Sequence, residues 1–126
     1  MKLRLLDDSI RLRLSQSEVT AAKERGLVEG QTRFADGSVF TYALEAVKTA
    51  AGASAAYAKG RIVVKLPARE ISAWADDDTA VSLRGEVRLP DGGQLKLLVE
   101  KDFKCLSPRE DEDQSDLYQN REPTAC

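Results

Sequence analysis

Ser9-Ile10-Arg11-Leu12-Arg13-Leu14-Ser15-Gln16-Ser17-Glu18-Val19 alternates and then changes period. Ile10, Leu12 and Leu14 fall on one face of a strand, with Arg11 and Arg13 on the other. Ser15 and Glu18 stand three apart at the change of period, the spacing of a capping box that opens a helix. Shifted by 52 residues, the pattern returns: Ile10 meets Ile62, Leu12 meets Val64, Arg13 meets Lys65 and Leu14 meets Leu66. Glu18 then meets Glu70, Val19 meets Ile71 and Ala21 meets Ala73. In the second copy Pro67 fits a first helical position, and Ile71 and Trp74 make the inward helical face.

Outward from these units the period stays at two. Leu3/Leu5, Phe40/Tyr42/Leu44 and Leu95/Leu97/Val99 each define one face of a strand. Asp36-Gly37 and Asp91-Gly92-Gly93 are hairpin turns, and Asp7-Asp8 and Lys59-Gly60 are weaker ones. Gly26 is a C′ stop for the first helix. Under the same shift, residues 2–6 fall on 54–58 and residues 27–34 on 79–86, so each half reads strand–strand–helix–strand–strand. The join is the Ala- and Gly-rich Val47–Ala53; Leu44–Ala58 reads alternatively as a helix broken by Gly52. The expected fold is mainly β (α+β): a small closed or semi-closed β-barrel of about eight short strands with two short helices and an internal pseudo-twofold duplication. Residues 1–106 would form the barrel, with half-repeats 1–46 and 54–101, and residues 107–126 an acidic tail. The duplicated strand-helix-strand pattern resembles cradle-loop and double-psi barrels.

The 126 residues contain no histidine. That excludes Ser-His-Asp and Cys-His triads and imidazole metal ligands among these residues. The net charge of −2 hides a split: residues 1–106 hold 17 Lys+Arg against 15 Asp+Glu, and residues 107–126 hold 2 against 6. So weakly basic a body disfavours nucleic acid as a partner. No apolar run is long enough for a membrane helix, and Met1–Leu6 lacks the apolar region of a signal peptide. Cys105 and Cys126 are too few for a disulfide framework, so a cytoplasmic setting is expected.

Two stretches carry a resemblance over nearly the whole chain. They are Ser9–Val19 and Val99-Glu100-Lys101-Asp102-Phe103-Lys104-Cys105-Leu106, the latter followed by Glu112-Asp113-Gln114-Ser115-Asp116. Together they resemble a family of small bacterial proteins known only as a domain of unknown function. The resemblance implies a bacterial, cytoplasmic, single-domain protein and assigns no activity and no site residues. Separately, Arg61–Gly85 resembles the AbrB/MazE-type DNA-binding element through Ile62-Val63-Val64-Lys65-Leu66-Pro67-Ala68-Arg69-Glu70-Ile71. Asp76-Asp77-Asp78-Thr79 stands where that element has a Gly-Asp turn.

Several side chains could carry binding or chemistry. Arg11 and Arg13, beside Lys2 and Arg4, make the best basic patch; Lys65 and Arg84 are further outward cations. Lys101 and Lys104 precede Cys105 and would favour its thiolate if they approach it. Asp111, Asp113, Ser115 and Glu122 occupy positions 1, 3, 5 and 12 of a calcium-loop template, with Asp116 where its turn glycine belongs. The tail carboxylates could instead fold back onto Arg11, Arg13, Lys65 or Arg84, with Leu117 and Tyr118 burying apolar surface. The absence of a recognisable catalytic set points to a non-catalytic binding or accessory domain, without a cofactor, serving a protein or small-molecule partner as a monomer or small homo-oligomer. The alternatives are an AbrB-like nucleic-acid-binding regulator, or an enzyme using Cys105 or the tail carboxylates with a divalent metal.

Overall fold

The computed structural model describes residues 1–104 and 113–119. Its elements are β1 (Lys2–Leu5), β2 (Ser9–Leu14), α1 (Gln16–Glu24), β3 (Leu27–Arg33), β4 (Val39–Val47), β5 (Ser54–Ala58), β6 (Arg61–Pro67), α2 (Ala68–Asp76), β7 (Ser82–Arg88) and β8 (Gln94–Lys101). The strands occupy two four-stranded sheets, ordered β1-β2-β8-β7 and β3-β4-β6-β5. Each sheet therefore takes one hairpin from each end of the β–β–α–β–β order. A parallel pair joins the two hairpins at each centre, β2 with β8 and β4 with β6. Neither sheet closes into a barrel, which corrects the expectation of a closed or semi-closed one. The ladders stop at β1, β7, β3 and β5 because each edge has one neighbour and none pairs with an edge of the other sheet.

The pairings agree in register as well as in order. Ile10 lies opposite Leu97 as Ile62 lies opposite Tyr42, and Lys2 faces Arg13 as Ser54 faces Lys65. One sheet position can thus be compared with its counterpart in the other. The spacing of 52 residues holds through the helices and lengthens to 55 at β7, so the strand expected at 79–86 lies at Ser82–Arg88. The cause is the connection after α2. Where Arg25-Gly26 suffices after α1, Asp77–Val81 inserts a turn in which Asp77 Oδ1 accepts from the Thr79 amide at 2.9 Å and hydroxyl at 2.6 Å.

The first helix starts where the sequence places it and the second one residue later. At α1, the Ser15 hydroxyl accepts from the Glu18 amide while Glu18 accepts from the Ser15 amide at 2.9 Å, a complete capping box. Gly26, at φ +76°, ends that helix in the left-handed conformation a glycine adopts freely. Pro67 is the N-cap of α2 and the last residue of β6, one position earlier than expected. The Ala-rich stretch is not helical: β4 runs to Val47 and β5 begins at Ser54. No helix among the described residues is long and apolar enough to cross a membrane.

One core joins both sheets and both helices, with Leu12, Leu14, Leu44, Val64, Ile71 and Val99 fully enclosed. Trp74 is buried there and donates its indole N–H to the Val81 carbonyl at 2.9 Å, so its polar atom is satisfied. Two glycines at counterpart positions admit close neighbours. The Tyr42 ring passes over Gly30, and its hydroxyl donates to the Met1 carbonyl at 2.7 Å, tying β4 to the start of β1. A Cβ at Gly30 would sit 2.4 Å from Tyr42 Cζ. Gly85 meets Ala53 in the counterpart position, where a Cβ would lie 2.7 Å from the alanine methyl. Gly30→Ala should therefore displace the Tyr42 ring and cost about 1–3 kcal/mol in denaturant unfolding. Combined with Tyr42→Ala, its effect should be less than additive, because the first change already breaks the contact the second removes. Full additivity would show that Gly30 is not there to admit Tyr42.

Candidate functional site

The outer face of the first sheet is built by the alternation that buries its inner face. With Leu3, Ile10, Leu12, Leu97 and Val99 turned to the core, Arg4, Arg11, Leu98 and Arg84 stand in one row across β1, β2, β8 and β7. The next row is Lys2, Arg13, Glu100 and Ser82. On the other side Ser9, Lys96 and Glu86 make a third. Four cations thus lie directly opposite one another in two like-charged antiparallel pairs, Lys2 with Arg13 and Arg4 with Arg11. Each such pair costs stability, about 0.2–1 kcal/mol by comparison with favourable pairs.

Acidic groups answer Lys2, Arg11 and Arg13 but not Arg4. Glu100, only 9% exposed, accepts from Arg13 Nε at 2.8 Å, and Arg11 Nε lies 2.7 Å from the same oxygen. The Arg11 N–H is not aligned to hydrogen-bond, so one carboxylate is shared by two guanidiniums. Lys2 pairs with the buried Asp102 at 2.9 Å. Arg4, Arg84 and Lys96 have no ion-pair partner among the described residues. Around them is an open cleft of about 310 Å³, lined by Leu98 and bordered by Leu6, Ser9 and the acidic Glu86.

The other residues singled out from sequence lie elsewhere. Lys65 is exposed on β6 in the second sheet, away from the row that holds Arg11 and Arg84. Lys101 is 4% exposed; its ammonium donates to the Asp77 carbonyl at 2.8 Å and lies 5.6 Å from the ring centres of Trp74 and Tyr118. Such a cation between two aromatic faces contributes to holding the end of β8 in place. Lys104 is half-buried, and its amide donates to the Tyr118 carbonyl. Cys105, Asp111 and Glu122 lie outside the described residues.

Residues 113–119 fold back, but onto the start of α1 rather than onto the arginines. The Gln16 amide donates to the Asp116 carbonyl at 2.9 Å, and the Ser17 amide and hydroxyl donate to the Asp116 carboxylate. A helix start leaves its first amides unpaired and carries a partial positive charge, so a carboxylate there is stabilising. Leu117 is buried, and Tyr118 packs against Phe103 in a tilted pair with ring centres 5.3 Å apart. Asp113 accepts from the Ser115 amide at 2.9 Å, closing a local turn. Among the described residues no group of three acidic or cysteine side chains converges as a metal site would require.

Hydrogen bonds from the Ser17 hydroxyl, and then from Ser15, hold the Asp116 carboxyl below its ordinary value. Burial would raise Glu18, but the Met1 ammonium and the Ser15 amide and hydroxyl outweigh it and lower that group too. A folded value below the unfolded one stabilises fully above the unfolded value, 3.8 for Asp116, and is lost as pH falls through the folded value. Asp116→Asn should lower the melting temperature at neutral pH and progressively less as pH drops below 3.8. An equal deficit at both ends of that range would show that the carboxylate charge is not what Ser17 and α1 use. Glu100→Gln should cost about 1–3 kcal/mol, since it leaves Arg11 and Arg13 half-buried without a counter-charge. A variant as stable as the parent would remove Glu100 from the account of this face.

Sequence reasoning found Arg11, Arg13 and Arg84 but did not place Lys96 and Leu98 beside them. The missing signal was the parallel pairing of β2 with β8, which no local pattern announces. No curated protein and no solved structure matches the chain significantly. A match to one family model covers residues 1–122 and lends no support to the likeness to AbrB/MazE elements; by that match the chain belongs to DUF7009, a family of unknown function.

Proposed function

We propose that this protein is a non-catalytic binding domain that recognises an anionic partner through the outer face of the sheet β1-β2-β8-β7. The observation that carries the reading is the row Arg4–Arg11–Leu98–Arg84, in which Arg4 faces Arg11 across the ladder and, of the three arginines, only Arg11 has a carboxylate, the shared Glu100, beside it. A fold gains nothing from such a row; an anionic ligand that fills it does. The second sheet supports this by contrast. Its counterpart positions are Ala56, Val63, Ala43 and Glu29, so the same backbone is built without a cationic strip. The cytoplasmic, bacterial setting implied by the family resemblance belongs to the same reading.

Thermal melts of Arg4→Ser and Arg84→Ser, with and without anions, test it. At low salt each variant should melt at or slightly above the parent temperature, because repulsion is relieved. The parent should be stabilised by phosphate, nucleotides, heparin or polyglutamate, and the double variant much less. A marked destabilisation of Arg4→Ser without anions would make Arg4 a structural residue and end the proposal. So would equal anion shifts in parent and double variant.

A further inference from the structure

The anion-binding reading leaves open what kind of anion the face takes, and the geometry of the cleft narrows it. We infer that the ligand is a small phosphate ester with a flat apolar body, held with its phosphoryl group on the guanidiniums and its body on Leu98. This rests on the proposed function and goes one step beyond it.

The cationic strip is one row deep. In the row on one side stands Glu100, with Asp102 beyond it; in the row on the other stands Glu86 opposite Lys96. Rows on one face of a sheet are separated by roughly 7 Å. A polyanion laid along the strands would therefore meet a carboxylate on either side of the arginines. Laid across them, it would find a strip only about 14 Å long, the distance of three strand spacings. A compact anion fits within the one row, away from Glu100 and with Glu86 only at the cleft's border, and a volume of about 310 Å³ lies at the lower end of small-molecule sites.

The strip is also interrupted in a particular way. Leu98 stands between Arg11 and Arg84, so β8 offers an apolar surface where its neighbours offer charge. Leu6 borders the same cleft and is exposed. An inorganic anion would use the arginines and leave both leucines wet; an ester with a flat apolar body uses both. Phosphate suits the charge pattern because its two negative charges at neutral pH match two guanidiniums without an acidic partner, and because the planar fork of arginine binds phosphoryl oxygens in pairs. The other cation-rich hollow, at the C-terminal end of α1, lacks this pattern: its Lys23 is paired with Asp76 and its Arg61 with Glu29.

Isothermal titration of the full chain at low salt separates the outcomes. Phenyl phosphate and AMP are the probes; inorganic phosphate, adenosine, benzoate and a single-stranded oligonucleotide are the comparison arms. The expected result is that both esters bind about tenfold or more tightly than inorganic phosphate or adenosine, and that Arg4→Ser and Arg84→Ser each weaken them about tenfold. Leu98→Ser should weaken the esters and leave inorganic phosphate unchanged; circular dichroism confirms that each variant is folded. Esters no tighter than inorganic phosphate, or unaffected by the arginine variants, would overturn the inference. Oligonucleotide binding without ester binding would overturn it while leaving the anion-binding domain standing. No heat with any anion would remove both.

Discussion

The parallel pairing of β2 with β8 is the constraint on which the rest of the structure depends. Alone, β1 and β2 would form a hairpin with Lys2, Arg4, Arg11 and Arg13 on one face and nothing to offset them. Two-stranded ribbons are marginal even without such repulsion. The last strand, β8, brings Glu100 between the arginines, and the chain just after it brings Asp102 to Lys2. The same pairing lays Ile10, Leu12 and Leu14 beside Leu97 and Val99 and completes half of the core. Its counterpart, β4 with β6, does the same for Leu44, Ile62 and Val64. The first sheet needs a hairpin from both ends of the chain, whereas the second uses the consecutive β3–β6, so the first cannot be finished until β7 and β8 arrive. Such non-local pairing requires loop closure before contacts can reward it, which makes folding cooperative and comparatively slow.

Local chemistry was legible in the sequence and long-range pairing was not. Ser15 and Glu18 form their capping box, Gly26 ends α1, and Asp36-Gly37 and Asp91-Gly92 turn where they are expected to. Each of these is decided by residues within four positions of each other. The alternation in Ile10–Leu14 and Leu95–Val99 told which side chains are inward, but period two says nothing about which strands are neighbours. Hence the correct count of strands accompanied a wrong expectation of closure. The candidate site divides the same way. Arg11 and Arg13 were visible as an outward pair, yet their shared carboxylate, Glu100, is 87 residues from Arg13 in the chain.

Residues 113–119 show how an acidic segment can serve a fold. A run of carboxylates suggests solvent, metal ions or arginines as destinations. Asp116 instead supplies what α1 lacks, acceptors for the Gln16 and Ser17 amides at a helix start. The capping box satisfies a different donor, the Glu18 amide, so the two devices are complementary. Leu117 and Tyr118 make the docking worth its ordering cost by burying apolar surface beside Phe103 and Lys101. This arrangement leaves the charges of the first sheet to be balanced by Glu100 and Asp102.

That last balance divides the charges of one face into answered and unanswered ones. Lys2 and Arg13 repel each other as a cross-strand pair, but the fold answers them with Asp102 and Glu100. Arg4 and Arg84 receive no such answer, although Lys48, exposed in a turn elsewhere on the surface, shows that an isolated cation needs none. The difference is position: an isolated cation is solvated on all sides, whereas Arg4 faces Arg11 across a ladder and shares a cleft with Arg84 and Lys96. In the second sheet the matching backbone carries Ala56 opposite Val63, a pair with no electrostatic cost. That a sheet can be built without the cost on one side of the molecule and carries it on the other is the contrast that the proposed anionic ligand would explain.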